Sequence, residues 1–247
     1  MCVHYASFTS LFYHPETLYF ATLMEGYIKH EIARAEEGPL TVNVSMTIVS
    51  FLEVDELGQT MKVVFEMKWT WFDARLNMLH LQKDQDLNVL WEKSHEQIWY
   101  PEIRFDNIDP SKENKERHLL YTILRDLNVS PTVHNPGTTN ATNEFNGSDH
   151  KIVRTEEYTY YWRCVYNLKW YPFDLQTCNM LMNLPKHYSF IVRLNPESIA
   201  YNTGNKNELT EYSVDKILFC SQENGTKLIF EVCYFKCVLF FLLTRYF

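Results

Sequence analysis

The chain has 247 residues, of which 46% are hydrophobic, 15% aromatic and 22% charged, and its formal net charge is −8. This composition excludes a disordered or collagen-like protein. Because 23 Lys and Arg stand against 31 Asp and Glu, the chain has no basic surplus with which to bind nucleic-acid phosphates. The length predicts a single domain.

A helix is predicted first, from near Pro15 to the residues before Gly38, because apolar residues recur there at helical spacing: Leu18, Ala21, Met24 and Ile28. Alternating apolar and polar residues then predict two strands over 41–51 and 61–71, which the polar turn 53–59 joins into a hairpin. Further short strands are predicted over 87–90, 119–124, 158–166, 177–183 and 189–192.

A second hairpin is predicted near the end of the chain, where strands over 212–220 and 227–236 flank the residues Asn224 and Gly225. An Asn-Gly pair provides the positive φ angles that a tight hairpin turn needs. No interdomain linker interrupts these elements. The predicted fold is therefore all-β, an immunoglobulin-like β-sandwich of about ten strands with a short N-terminal helix.

The two ends of the chain differ from those of a complete secreted or membrane protein. The first eight residues lack the basic and apolar segments of a secretory signal. The C-terminal apolar run, residues 238–243, is too short to cross a bilayer. Sequons nevertheless predict an extracellular surface, with glycosylation at Asn43, Asn140, Asn146 and Asn224. A fifth sequon at Asn128 is weakened by Pro131. We therefore expect the native protein to begin upstream of Met1.

One pair among the six cysteines is informative. Cys164 and Cys178 enclose thirteen residues, and the centre of this segment is Tyr171-Pro172-Phe173-Asp174, followed by Gln176. Four fixed identities, each at about 5% usage, would match about one window in 10^5 by chance.

This segment is similar to the signature of the Cys-loop receptors, the pentameric ligand-gated ion channels, which is a thirteen-residue disulfide loop with an aromatic-Pro-Phe-Asp centre. Other segments resemble the family in the same order: residues 42–45, its first strand; Val54, Asp55 and Glu56 with Gln59, its first hairpin turn; residues 71–76, its W-x-D-x-x-L element; residues 98–102 with Asn107, its W-x-P-D segment with Glu in place of Asp; and Lys236 with Phe240 and Phe241, the approach to its first membrane helix. The resemblance covers about residues 15–247.

The resemblance implies a division of the chain into an unassigned segment 1–14, a ligand-binding domain 15–237 and the truncated start of a first transmembrane helix, 238–247. It implies a Cys164–Cys178 disulfide. It also implies that the residues facing the membrane domain couple binding to gating: Val54, Asp55, Glu56, Tyr171, Pro172, Phe173, Asp174 and Lys236. Among these, Glu56, Asp174 and Lys236 are candidates for a partly desolvated ion-pair cluster.

The resemblance further implies a receptor subunit on the extracellular face of the plasma membrane. Its implied partners are a small-molecule ligand and the other subunits of a homo- or hetero-pentamer. It would contact the membrane through a missing C-terminal channel domain. The aromatic ligand box of the amine-binding members is absent, because Glu66, Asp106 and Pro185 occupy its positions, and Cys220 has no vicinal partner. Acetylcholine binding is therefore not expected. The candidate ligand residues are Glu66, Asp106, Tyr212 and Cys220.

Two interpretations of these departures stay open. In the first, Glu66 and Asp106 bind a basic ligand, a proton or a metal. In the second, the subunit is an accessory one whose ligand sites lie on partner chains. A glycan on Asn224 would stand where the terminal hairpin closes over ligand.

Other function classes receive little support from the sequence. No nucleophile elbow, phosphate-binding loop or dinucleotide fingerprint is present, so the chain is not predicted to be an enzyme. The nine histidines show no zinc-ligand spacing, so the sequence predicts no structural metal site, and it predicts no cofactor. The alternative to a channel subunit is a secreted, pore-less ligand-binding protein of the same fold.

Overall fold

The computed structural model describes residues 27–35, 37–79, 81–90, 96–134, 142–170, 174–201 and 212–236. Within these residues the chain is all-β, with thirteen strands and three short 3-10 turns. The strands form a six-stranded, a four-stranded and a small three-stranded sheet. No helix of the described residues is long and apolar enough to cross a membrane.

The six-stranded sheet has the order β11-β1-β2-β9-β6-β4. Its strands are β1 (Leu40–Asp55), β2 (Thr60–Trp71), β4 (Val89–Leu90), β6 (Lys115–Leu124), β9 (Lys151–Arg163) and β11 (Val192–Tyr201). β11 runs parallel to β1, and the other pairs are antiparallel.

The four-stranded sheet has the order β12-β13-β10-β5. Its strands are β5 (Arg104–Phe105), β10 (Leu175–Asn183), β12 (Tyr212–Gln222) and β13 (Lys227–Lys236). A small sheet of β3 (Asn77–Leu79), β8 (Thr142–Asn146) and β7 (Thr132–His134) completes the structure.

The core lies between the two large sheets and follows from the alternation of the strands. The alternating buried side chains of β1 include Val42, Val44, Met46 and Ile48, and those of β13 are Leu228, Phe230, Val232 and Tyr234. Phe105 of the four-stranded sheet contacts Tyr160 of the six-stranded sheet, with ring centroids 5.1 Å apart. Apolar and aromatic burial across this interface is the main force that holds the sheets together.

The fold class predicted from the sequence is confirmed, with differences in the extents of strands. β1 continues to Asp55, so the turn is shorter than the predicted residues 53–59. The predicted strand 189–192 is instead a turn, because the amides of Ile191 and Val192 both donate to the Tyr188 carbonyl at 2.9 Å. The strand starts at Val192. Residues 15–26 of the predicted helix lie outside the described residues, and residues 27–35 have no helical turn.

Candidate functional site

The disulfide joins the two large sheets at one end of the sandwich. Cys164 directly follows β9, Cys178 lies within β10, and their Cα atoms are 5.1 Å apart. This pairing confirms the disulfide implied by the family resemblance. A cross-link that closes a loop of about 15 residues stabilises the fold by about 3 kcal/mol in the chain-entropy model.

The loop closed by the disulfide is held at its base by the buried side chain of Gln176. Its Oε1 accepts from the backbone N–H of Asn167 at 3.0 Å, and its Nε2 donates to the Asn167 carbonyl at 2.9 Å. Nε2 also donates to the carboxylate of Asp174, which is nine-tenths buried. Tyr171, Pro172 and Phe173, at the centre of the predicted motif, lie outside the described residues.

The turn between β1 and β2 is the second element at this end of the sandwich. The Gly58 N–H donates to Asp55 Oδ1 at 2.7 Å, and a Cβ atom at Gly58 would lie 2.2 Å from Asp55 Oδ2. A larger residue at this position would therefore displace the Asp55 carboxylate from the turn. Val54 packs against the core, whereas the side chain of Leu57 is 93% exposed at the tip.

Two hydrogen bonds connect this turn to the residues of the disulfide loop. The backbone N–H of Cys164 donates to the Gln59 carbonyl at 2.8 Å, and the Tyr166 hydroxyl donates to the Thr60 carbonyl at 3.1 Å. Burial raises the pKa of Tyr166 to about 12. The Tyr166 hydroxyl is therefore protonated at neutral pH and available as a donor.

A third hydrogen bond connects the same turn to the terminal hairpin of β12 and β13. The Tyr212 hydroxyl donates to Glu56 Oε1 at 2.8 Å. The ring of Tyr234 lies between the other two tyrosines, with centroids 5.6 Å from Tyr212 and 6.3 Å from Tyr166, both edge to face. The β1–β2 turn, the disulfide loop and the terminal hairpin therefore meet in one group of contacts, which we call the tyrosine cluster: Glu56, Tyr166, Tyr212 and Tyr234.

Two of the three charges predicted to form an ion-pair cluster lie within this region. Glu56 accepts from Tyr212, and Asp174 contacts Gln176. The backbone of Lys236 pairs directly with Tyr212 across β12 and β13, whereas its side chain lies outside what the structure describes. The ion-pair cluster therefore stays a prediction.

The four predicted ligand residues lie in three separate places. Asp106 and Cys220 are at the same end of the four-stranded sheet, near the hairpin tip. Tyr212 and Cys220 belong to the same strand but are eight residues apart, which corresponds to about 26 Å. Glu66 is exposed on the outer face of the other large sheet, opposite Thr47 and Glu157.

The hairpin-tip end of the four-stranded sheet presents polar side chains on its outer face. Asn183 pairs with Lys227 and Lys227 with Gln222, so one row crosses three strands. The Asn183 side chain donates to the carboxylate of exposed Asp106. We call this surface the hairpin-tip face: Asp106, Asn183, Cys220, Gln222 and Lys227.

Two further motifs of the sequence, the W-x-D-x-x-L element and the W-x-P-D segment with Asn107, contribute buried or sheet-bridging hydrogen bonds that stabilise the sandwich. Asp73, which is completely buried, accepts from Arg75 Nη2 at 2.6 Å and from the Tyr27 hydroxyl at 2.9 Å. The Asn107 side chain bridges the two sheets: it donates to the Arg163 and Asn179 carbonyls at 3.1 and 2.6 Å.

Tyr166 and Tyr234 are the residues of the tyrosine cluster that sequence reasoning missed. Tyr234 shares the alternating buried face of β13, and Tyr166 stands two residues after Cys164. The strand pattern indicates that Tyr234 points inward. It does not indicate which other elements the ring meets.

Comparison with known proteins gives one family match. The family described as neurotransmitter-gated ion-channel ligand binding domain matches residues 16–245. The acetylcholine receptor subunit alpha-type unc-38 of Caenorhabditis elegans is 25% identical over 159 residues, which are 64% of this chain and 26% of that protein.

Two further relatives have names that refer to other ligands. The betaine receptor acr-23 of Caenorhabditis elegans is 25% identical over 64% of this chain and 26% of its own length. A glutamate-gated chloride channel subunit beta of Haemonchus contortus is 26% identical over 58% of this chain and 28% of its own length. The matched part of this chain thus spans about a quarter of the length of these relatives.

Proposed function

Because this chain belongs to the neurotransmitter-gated ion-channel ligand-binding domain family of the Cys-loop receptors, we propose that it is the extracellular ligand-binding domain of one subunit of a pentameric ligand-gated ion channel. A small-molecule ligand binds between neighbouring subunits at the surface of the plasma membrane. The resulting change in the sandwich opens a pore formed by a channel domain that follows residue 237 in the intact protein.

The observation that supports coupling is the meeting of three elements in the tyrosine cluster. The Tyr212 hydroxyl joins the terminal hairpin to Glu56 at 2.8 Å, and the Tyr166 hydroxyl joins the disulfide loop to Thr60 at 3.1 Å. Both acceptors belong to the β1–β2 hairpin. A displacement of the terminal hairpin therefore acts on the β1–β2 turn through a direct contact.

The disulfide and Gln176 make this arrangement stiff on the side of the disulfide loop. Cys164 is covalently bound to β10 and hydrogen-bonded to Gln59, so the loop base and the turn move together. Packed elements of this kind change between discrete arrangements rather than deforming continuously. A ligand that binds one arrangement more tightly shifts the population toward it.

We assign the residues at the membrane-facing end to gating. The contacts with the channel domain are made by Val54 and Asp55 of the β1–β2 hairpin and by Tyr171, Pro172 and Phe173 of the disulfide loop. Glu56, Asp174 and Lys236 form the charged group whose rearrangement accompanies gating. Removing one charge from a buried pair leaves the other unpaired and costs about 3–5 kcal/mol. A free-energy change of this size strongly biases the equilibrium between the closed and open arrangements.

The hairpin-tip face is the proposed ligand surface of this chain. Asp106 supplies a carboxylate for a basic ligand, and Cys220 lies at the same end. Glu66, on the other large sheet, would contribute from the neighbouring subunit. Tyr212 is assigned to coupling instead, because its hydroxyl contacts Glu56 at the opposite end of β12.

Current recording tests this function. The full-length coding sequence is expressed in oocytes, alone and together with the unc-38 relative, and acetylcholine, betaine and glutamate are applied in turn. A ligand-dependent current from the chain alone supports a ligand-binding subunit. A current that needs the co-expressed relative supports an accessory subunit. Surface protein that gives no current under either condition contradicts the channel proposal. Protein released into the medium contradicts it as well and favours a secreted binding protein.

A matched pair of tyrosine variants tests the coupling role. In Tyr212→Phe the hydroxyl that reaches Glu56 is lost, whereas in Tyr161→Phe a hydroxyl is removed from the outer face of β9, where the ring lies under Lys62. We expect the first variant to require about tenfold more agonist, as about 1.4 kcal/mol would produce, and the second to match wild type. Equal responses of the two variants would contradict the coupling role of Tyr212.

A further inference from the structure

We propose that Asn224 carries an N-linked glycan and that this glycan covers the hairpin-tip face. The acceptor is the sequon Asn224-Gly225-Thr226. The donor is a lipid-linked oligosaccharyl diphosphate of the secretory pathway. The Asn224 Nδ2 forms a C–N bond to the first sugar carbon, the bond from that carbon to the diphosphate oxygen breaks, and the amide loses one proton. The inference rests on the proposed function for the passage of the chain through that pathway.

Asn224 lies at the tip of the terminal hairpin, in an unusual backbone conformation. Its φ and ψ are 55° and 38°, and its neighbours Glu223 and Gly225 also have positive φ angles of 51° and 80°. Asparagine adopts this left-handed region more readily than most residues. The Asn224 side chain is exposed at the outermost point of the hairpin.

The rest of the sequon holds the inner side of the turn against the sandwich. The Thr226 hydroxyl donates to the Glu223 carbonyl at 2.9 Å, and the Thr226 carbonyl accepts from the Leu184 N–H at 2.9 Å. A Cβ atom at Gly225 would lie 3.1 Å from the Leu194 carbonyl of β11. Protein atoms therefore crowd the inner side of the turn, while Asn224 is exposed to solvent.

The other sequons within the described residues have asparagine side chains that already form hydrogen bonds. Asn43 Oδ1, on β1, accepts from Asn195 of the edge strand β11 at 2.9 Å. Asn146 Oδ1 accepts from the Ser148 N–H at 2.9 Å, and Asn128 Nδ2 donates to Asp126 at 3.0 Å. Among these described sites, the Asn224 carboxamide alone has no hydrogen-bond partner. A glycan there replaces no observed contact.

The position of Asn224 places the attached sugars beside the proposed ligand surface. Gln222, two residues before Asn224, is in the row that also contains Lys227 and Asn183. Asn183 in turn contacts Asp106. The glycan base is therefore at the end of the sheet where Asp106 and Cys220 lie, and it restricts access to this face for large molecules.

Glycopeptide mapping tests occupancy directly. The full-length protein, expressed from its native coding sequence in insect cells, is digested with trypsin. Cleavage after Lys216 and Lys227 releases residues 217–227, in which Asn224 has the only sequon. The digest is then deglycosylated enzymatically in heavy-oxygen water, which converts a glycosylated asparagine to labelled aspartate. We expect most of this peptide to carry the label.

Two results would overturn the inference, and they separate it from the proposed function. An unlabelled 217–227 peptide, in a protein that is labelled at another sequon, overturns the Asn224 glycan and leaves the receptor proposal intact. A protein without label at any sequon overturns both, because the chain then has not passed through the secretory pathway.

Shielding of the hairpin-tip face is measured at Cys220, an exposed thiol in the same peptide. Thr226→Ala and Asn224→Asp both destroy the sequon, while the matched control Thr226→Ser keeps it and keeps a hydroxyl near Glu223. We expect a polymer-linked maleimide to label Cys220 several-fold faster in both sequon variants than in the control, and a small maleimide to label all three equally. Equal labelling by the polymer reagent would refute the shielding.

Discussion

The hydrogen bond between Tyr212 and Glu56 allows a quantitative test of the tyrosine cluster. Tyr212→Phe removes one hydroxyl and keeps the ring, which packs against Tyr234 with centroids 5.6 Å apart. The lost bond is 2.8 Å long and has a carboxylate acceptor. Hydrogen bonds to charged groups contribute about 1.5–3 kcal/mol. Because this contact is only partly buried, we expect the lower end, a loss of about 1.5 kcal/mol in the free energy of unfolding.

A double-mutant cycle with Glu56→Ala isolates this bond, since both residues have further contacts that each single variant also perturbs. Urea unfolding is followed by the fluorescence of the buried tryptophans Trp69, Trp71 and Trp162. We expect a coupling energy of about 1–1.5 kcal/mol between the two positions. Effects that add within about 0.3 kcal/mol would refute the reasoning, because the two side chains would then stabilise the fold independently.

Three other perturbations have definite expected outcomes. Asp73→Asn leaves the Arg75 guanidinium without its 2.6 Å counter-charge and should cost about 3 kcal/mol in urea unfolding. His150 is buried and its Nδ1 accepts a backbone N–H at 3.1 Å. Burial lowers its pKa below the unfolded value of about 6.5, so its stabilising contribution is present above about pH 6.5 and is lost as the pH falls through the folded-state pKa. Exchanging the charges of Asp174 and Lys236 should restore part of the agonist response that either single reversal removes.

Each of these expectations has a matched control. Asp86→Asn, in an exposed 3-10 turn, should change the free energy of unfolding by less than about 0.5 kcal/mol. If Asp73→Asn lost no more stability than this control, the stabilising role of the buried Asp73–Arg75 ion pair would be contradicted. His150→Asn should flatten the acid limb of the stability profile, and an unchanged profile would remove His150 as its cause. Additive effects of the two reversals at Asp174 and Lys236 would contradict the proposed ion-pair cluster.

The strongest local patterns in the sequence predicted the corresponding structure. Alternation along β1 and β2 predicted their hairpin, and the Asn224-Gly225 pair predicted the turn at the terminal hairpin, because both features depend on residues close in the chain. The Cys164–Cys178 spacing, with its aromatic-Pro-Phe-Asp centre, indicated the family and through it the disulfide.

Weak or non-local elements were not predicted. The three-residue strands β3 and β7 are too short to show a period of two. β11 was placed too early, since its position depends on parallel pairing with β1, about 150 residues away in the chain. Short segments of this kind adopt their conformation because a neighbouring strand is present, not because of their own composition.

The sequence by itself determined the all-β class, the two main hairpins, the disulfide loop and the family to which the chain belongs. Only the tertiary structure decided that Tyr212, a predicted ligand residue, lies against Glu56 across 156 positions of the chain, and that Tyr166 reaches Thr60 across 106. Side-chain alternation indicates which face a residue occupies. The packing of the two sheets decides which residue stands opposite, because that choice is made by the whole core.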